Sequence, residues 1–156
     1  MNNVVETVEN MIRMEKEHAQ SLSSSVEELS NLVVGEILRG IAHDSQKHAG
    51  FYKAILNLLG SENPALNEED YSRLENVIKT HIKIEEQMIQ DTKTLLEDKQ
   101  DSRVKHLLTE IYGDEIKHHI LMKRLLEAVI KREAIFDIDL WESLWYGVPG
   151  HGSPGG

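Results

Sequence analysis

The chain repeats itself when it is shifted by 70 residues, and this internal repeat constrains the fold more than any other sequence feature. Glu15 then falls on Glu85, and His48 falls on His118. Further identical pairs are Ile12 and Ile82, Ile41 and Ile111, Asp44 and Asp114, Lys47 and Lys117, Lys53 and Lys123, and Leu56 and Leu126. Surface charges can drift freely, whereas side chains that must converge on one point cannot. The repeat therefore predicts one structural unit used twice, with carboxylates and imidazoles directed at a shared site.

Composition narrows the class of protein. A chain of 156 residues can bury one substantial core. Its 28% charged and 40% hydrophobic residues and three prolines favour a soluble all-helical protein. A formal charge of −10 argues against nucleic acid as a partner, and the lack of cysteine excludes disulfides and a rubredoxin-type module. No signal peptide or membrane span is evident, so a cytoplasmic location is expected.

Apolar periodicity predicts four amphipathic helices. They run from about Asn3 to Leu29, from after Asn31 to before Gly60, from Asn67 onward, and from the break at 99–102 onward. The apolar stripe consists of Val4, Val8, Met11, Leu22, Leu29, Val34, Ile37, Ile41, Ile55, Leu59, Leu74, Ile78, Met88, Leu95, Val104, Leu107, Ile111, Leu125 and Val129. Two short breaks and one longer linker, GSENPALN, predict a four-helix bundle of two helix pairs within residues 1–134.

Residues 135–156 form a separate C-terminal extension. Its first part is dense in aromatic and aliphatic residues interrupted by acidic ones, which predicts a docked amphipathic segment or a dimer contact. A membrane-surface anchor is disfavoured because the segment has no basic face. The glycine- and proline-rich end is expected to be a tail, and a homo-oligomer is the predicted assembly.

Each predicted helix carries a carboxylate and an imidazole within its apolar stripe. The candidate metal ligands are Glu15, His18, Asp44, His48, His81, Glu85, Glu115 and His118. Burying several carboxylates together is costly unless a positive charge compensates, and no lysine or arginine occupies these stripe positions. Bound cations are the economical explanation, and mixed carboxylate and imidazole ligands suit iron, manganese or zinc. Taken singly, such a residue is more often a rim residue or a hydrogen-bonded core histidine.

These residues resemble the ferritin-like superfamily, in particular its rubrerythrin-related members without a rubredoxin domain. The resemblance covers about residues 3–130, and Glu115-Ile-Lys-His118 matches the motif of the fourth family helix. Glu15 and Glu85 match the lone glutamates of the first and third helices. The resemblance implies a ferritin-like bundle with a di-iron centre that reacts with oxygen, peroxide or ferrous iron. An external electron donor would be a further partner.

The second helix departs from this family pattern. Ser45, and not glutamate, lies three residues before His48, with Asp44 one place earlier. The sequence therefore predicts an asymmetric centre, in which a second metal is shifted, is held by other ligands such as His18 or His81, or is absent. His119 replaces Ala49 of the repeat and is expected at the surface or beside the ligands.

The sequence leaves open whether the chain is an enzyme, and it assigns no catalytic residue. One alternative is a non-catalytic metal-binding or storage protein that oligomerises. Another is a structural ferritin-like bundle without metal, with its buried groups paired among themselves. A hemerythrin-like centre fits poorly, because carboxylates are at least as numerous here as histidines.

Overall fold

The computed structural model describes residues 2–60, 65–99, 101–132 and 138–148. Within these ranges all regular structure is α-helical, which confirms the predicted class. The helices are α1 (Asn2–Val26), α2 (Leu32–Leu59), α3 (Glu68–Glu97), α4 (Ser102–Ile130) and α5 (Ile138–Trp145). The chain divides between residues 64 and 65 into two compact units. We call α1 with α2 the first hairpin, and α3 with α4 the second hairpin. Half of the predicted linker, residues 61–64, and most of the C-terminal tail lie outside the described residues.

The helix starts follow from local capping chemistry. The Asn31 side chain accepts a backbone N–H in the first turn of α2 at 3.1 Å. Asn67 and Asp70 form a reciprocal capping box at the start of α3, with distances of 2.9 and 3.4 Å. Asp101 caps α4 by accepting the backbone N–H of Arg103 at 2.8 Å. These side chains satisfy backbone donors that have no partner inside the helix, which fixes where each helix begins.

Helix α1 ends at Val26, before the predicted end at Leu29. The serine-rich segment in its last turns accounts for the earlier end, because serine hydroxyls compete for the helical backbone hydrogen bonds. Ser25 donates such a bond to the carbonyl oxygen of Ser21 at 2.7 Å. The short connection to α2 therefore includes Leu29, which is 43% exposed.

Small side chains form the α2 side of the contact between α1 and α2, and Val8, Ile12 and Val26 of α1 are buried there as well. Ala19, Ala42, Ser45 and Ala49 are all at most 4% exposed. Small residues allow two helices to approach closely. Much of the predicted apolar stripe lies outside this contact, with exposures between 39% and 53%: Val4, Leu29, Val34, Ile37, Ile41, Ile55 and Leu59. The first hairpin thus leaves a face of large apolar side chains uncovered.

The second hairpin has larger side chains in its core. Tyr71, Ile78, Ile82 and Val129 form a buried cluster. The partly buried residues packed against it are Leu66, Leu74, Met122, Leu125 and Leu126. Other members of the predicted stripe are between 40% and 47% exposed: Met88, Leu95, Val104, Leu107 and Ile111. This hairpin therefore also has an exposed apolar face, which lies near the C-terminal end of α3 and the N-terminal end of α4.

Arg132 ties the end of α4 to the start of α3. Its φ of 55° lies in the left-handed region that often follows a helix. The guanidinium donates to the carbonyl oxygen of Val129 at 2.8 Å, lies 3.3 Å from the Glu68 carboxylate and sits 5.1 Å above the Tyr71 ring. These contacts favour the antiparallel alignment of α3 and α4. The register of these two helices decides which of their side chains meet.

Helix α5 docks on α4 of the same chain. Arg124 donates from Nη1 to the carbonyl oxygen of Leu144 at 2.8 Å. Leu144 and Val148 are 5% and 2% exposed, whereas Tyr146 is 78% exposed. The described part of the extension is therefore a docked amphipathic helix. Among the described helices, none combines the length and the apolar character that crossing a bilayer requires.

Candidate metal centre

Three predicted ligands converge in the second hairpin. Glu85 lies on α3, and Glu115 and His118 lie one turn apart on the same face of α4. One ligand atom from each side chain lies within 4.8 Å of the other two, so the three could hold one metal ion. Within the described ranges this is the only group of three or more such side chains. Two carboxylates and an imidazole form a donor set that suits iron, manganese or zinc.

The electrostatics of Glu85 favour a cation at this point. Glu85 is only 9% exposed, and its burial raises the pKa of the carboxyl above the ordinary value. His118 opposes this rise, neighbouring Glu115 adds to it, and His119 and His81 lower the pKa again. Its Oε2 atom is buried and has no hydrogen-bond partner in the part of the chain that the structure describes. A buried carboxylate oxygen without a donor fits a position next to a metal ion.

The first hairpin assembles a poorer set of donors. His48 Nδ1 lies 3.4 Å from Glu15 Oε1, and these residues are the repeat equivalents of His118 and Glu85. Ser45 occupies the position equivalent to Glu115, where it is buried. Its hydroxyl lies 3.1 Å from His18 Nδ1, within hydrogen-bonding distance. The first hairpin therefore pairs one carboxylate with one imidazole, and a serine–histidine pair replaces the second carboxylate.

Asp44 takes part in an ion pair on the outside of α2. Its side chain is 59% exposed and pairs with Lys47, three residues along the helix. Asp114 makes the equivalent pair with Lys117 at 3.2 Å. Exposed pairs of this kind contribute little to stability. This part of the repeat therefore places an aspartate–lysine pair on the surface of each hairpin. The residue of this segment that faces α1 is Ser45, not Asp44.

The predicted ligands thus fall into separate groups. Glu85, Glu115 and His118 lie together in the second hairpin, and Glu15 lies beside His48 in the first. His18 and His81 are exposed, as is Asp44, and the three-residue cluster includes none of them.

His119 lies beside the three-residue cluster, close to Glu85. Its side chain is 16% exposed, with Nδ1 3.9 Å from Glu85 Oε2 and Nε2 3.8 Å from Glu86 Oε1. The signal in the sequence was its departure from the repeat, in which a histidine replaces Ala49.

Comparison of the chain with protein-family models, with curated proteins and with solved structures finds no match. The identity of the converging side chains, their spacing and their burial are therefore the basis for a functional proposal.

Proposed function

We propose that this protein is a ferritin-like metal-binding protein with a non-haem iron centre that acts on oxygen, peroxide or ferrous iron. The observation that carries the proposal is the convergence of Glu115 and His118 on the buried carboxylate of Glu85. Two carboxylates balance the charge of a divalent ion, and the imidazole adds a nitrogen donor. Manganese or zinc would also suit these ligands.

The proposal includes a four-helix bundle built from the two hairpins. Each hairpin exposes a set of large aliphatic side chains, including Ile41 in the first and Ile111 in the second. Burying such surface contributes about 25 cal/mol per Å². Exposed apolar patches of this kind mark interaction surfaces. We extend the proposal to a second metal ion held by Glu15 and His48, which would make a di-iron centre.

When bound, iron would supply redox chemistry toward oxygen or peroxide. The chain's own residues would hold and shield the ion. Glu85 and Glu115 offer oxygen donors, His118 offers nitrogen, and the burial of Glu85 keeps water from that side. Three protein donors leave coordination positions for an oxidant. Because the chain has no cysteine, electrons would come from a separate donor or from ferrous iron itself.

A second candidate function is metal binding without turnover. The observation that favours it is Ser45, which stands in the first hairpin where the second hairpin has Glu115. Glu15 is then the one carboxylate beside His48. A second ion would then be held weakly, and chemistry that needs two ions would be lost.

Anaerobic ferrous titration followed by oxygen or peroxide tests both candidates. Wild-type protein is expected to bind iron and to oxidise it faster than free iron is oxidised. Glu115→Gln removes a charged ligand, so iron affinity should fall on the order of 100-fold. Glu110→Gln changes an exposed carboxylate on the same helix and should bind iron as the wild type does. Bound iron that does not react supports the second candidate, and failure of the wild type to bind iron contradicts both.

A further inference from the structure

We propose that His119 is a fourth ligand of the metal centre in the second hairpin and binds the ion through Nδ1. This inference rests on the proposed metal-binding function and deepens it. His119 directly follows His118 on α4, and its Nδ1 atom lies 3.9 Å from Glu85 Oε2. The second hairpin would then hold an ion with two carboxylates and two imidazoles.

The first observation is a pair of buried atoms that lack partners. Glu85 Oε2 and His119 Nδ1 are both buried, and neither has a hydrogen-bond partner within the described residues. They lie 3.9 Å apart, too far for a hydrogen bond to each other. Leaving a buried polar atom unsatisfied costs about 1–3 kcal/mol. Two such atoms that face each other indicate that something belongs between them.

The separation of these atoms fits a shared metal ion. Nitrogen and carboxylate oxygen ligands lie about 2.0–2.2 Å from zinc, so two ligands of one ion can be up to roughly 4.2 Å apart. The observed 3.9 Å between His119 Nδ1 and Glu85 Oε2 falls within that limit. His119 lies outside the group in which atoms of Glu85, Glu115 and His118 are all within 4.8 Å of one another, so its imidazole must move toward Glu115 and His118 when the ion binds. A bridging water could also span the gap, and it is the main rival occupant. A cation is favoured because Glu85 already belongs to a cluster of metal-ligating side chains.

The orientation of the imidazole agrees with this role. Its other nitrogen, Nε2, lies 3.8 Å from Glu86 Oε1. If Nδ1 binds the ion, the proton resides on Nε2 and points toward this carboxylate. Metal-bound histidines commonly donate their second N–H to such a group, which fixes the tautomer and the ring orientation.

Comparison of the two hairpins shows that packing does not require a histidine here. The repeat equivalent of His119 is Ala49, which is 4% exposed between α1 and α2. Alanine thus fills this position in the first hairpin, where the equivalent of Glu115 is also missing. The hairpin with both carboxylates also carries the additional imidazole. The second hairpin would therefore bind one ion with its own four donors, independently of ligands from the first.

Proton NMR of the full-length chain loaded with Co²⁺ tests this inference. Each coordinated histidine gives a strongly shifted resonance from its exchangeable ring N–H. His119→Ala should remove one such resonance and weaken Co²⁺ binding by about tenfold or more. His119→Gln, which keeps a polar side chain, should behave in the same way. His106→Ala, an exposed histidine on the same helix, should leave the shifted resonances and the affinity unchanged.

The outcomes separate this inference from the function on which it rests. Unchanged shifted resonances and unchanged affinity in both His119 variants would show that His119 is not a ligand and that water fills the gap. Wild-type protein that fails to bind Co²⁺, and also fails to bind ferrous iron, would overturn the metal-binding function itself. Alanine is accommodated at the equivalent position 49, and far-ultraviolet circular dichroism checks that the variants fold. If His119→Ala does not fold, His119→Gln decides the question.

Discussion

Glu85→Gln is expected to stabilise the metal-free protein and, in the same molecule, to weaken metal binding. Glu85 is 9% exposed, and burial is the main reason that the pKa of its carboxyl is raised. Glutamine has a similar shape but no charge, so the cost of burying a carboxylate disappears. We expect the free energy of unfolding of the metal-free protein to rise by about 1 kcal/mol at neutral pH. Metal affinity should fall on the order of 100-fold, because the buried ligand oxygen is replaced by an amide.

The pH dependence of stability gives this prediction a definite sign. The pKa of Glu85 is higher in the folded protein than in the unfolded chain. Between those two values the folded state binds more protons, so the stability of the metal-free protein falls as pH rises through this window. Glu85→Gln should remove that part of the decline. Urea unfolding at several pH values measures it, with Glu110→Gln as an exposed control. A variant that is less stable without metal, yet binds metal like the wild type, would show that the role assigned to Glu85 is wrong.

Ser45→Glu is expected to supply the carboxylate that the first hairpin lacks. Ser45 is 4% exposed and occupies the position equivalent to Glu115, so a glutamate there would join Glu15 and His48. Without metal, the buried charge should lower the free energy of unfolding by several kcal/mol, and His18 loses its hydroxyl partner. With metal, the variant should recover much of that stability and bind one more ion per chain, or bind the second ion more tightly.

Metal analysis after reconstitution with iron, combined with thermal unfolding with and without metal, measures both effects. Gln46→Glu adds the same charge at an exposed neighbouring position of α2 and should change neither metal content nor the metal dependence of unfolding. If Ser45→Glu destabilises the protein equally with and without metal, and its metal content stays that of the wild type, the first hairpin does not contribute a metal site.

The parts of the fold that local chemistry determines were predictable from the sequence. Asn31 and Asn67 marked helix starts because their side chains cap the first turn, and the structure confirms both. The pairing of α1 with α2 was predicted, but the small residues that form the α2 side of their contact were not. Alanine, glycine and serine give little periodic signal, whereas the large apolar residues that do give a signal lie mainly on an uncovered face. Periodicity shows that a face needs a partner, but it does not show which element covers it.

For the candidate site, contacts within one helix were predictable from the sequence, whereas contacts between helices were not. Glu115 and His118 share a face because they are one helical turn apart. Their meeting with Glu85 depends on the register of α3 against α4, which the internal repeat implied only indirectly. Asp44 was predicted as a ligand because it interrupts the apolar stripe one turn before His48 and recurs as Asp114. In the structure each aspartate pairs with a lysine on its own helix. For His119 the repeat offered only a difference between its halves, because the counterpart of this histidine is Ala49.

The most direct test of the proposed metal centre is an anomalous difference map at the iron absorption edge, from crystals of the iron-loaded chain. The proposed centre predicts a strong peak within about 2.0–2.3 Å of carboxylate oxygens of Glu85 and Glu115 and a ring nitrogen of His118. Iron-loaded crystals with no anomalous peak between these side chains would contradict it.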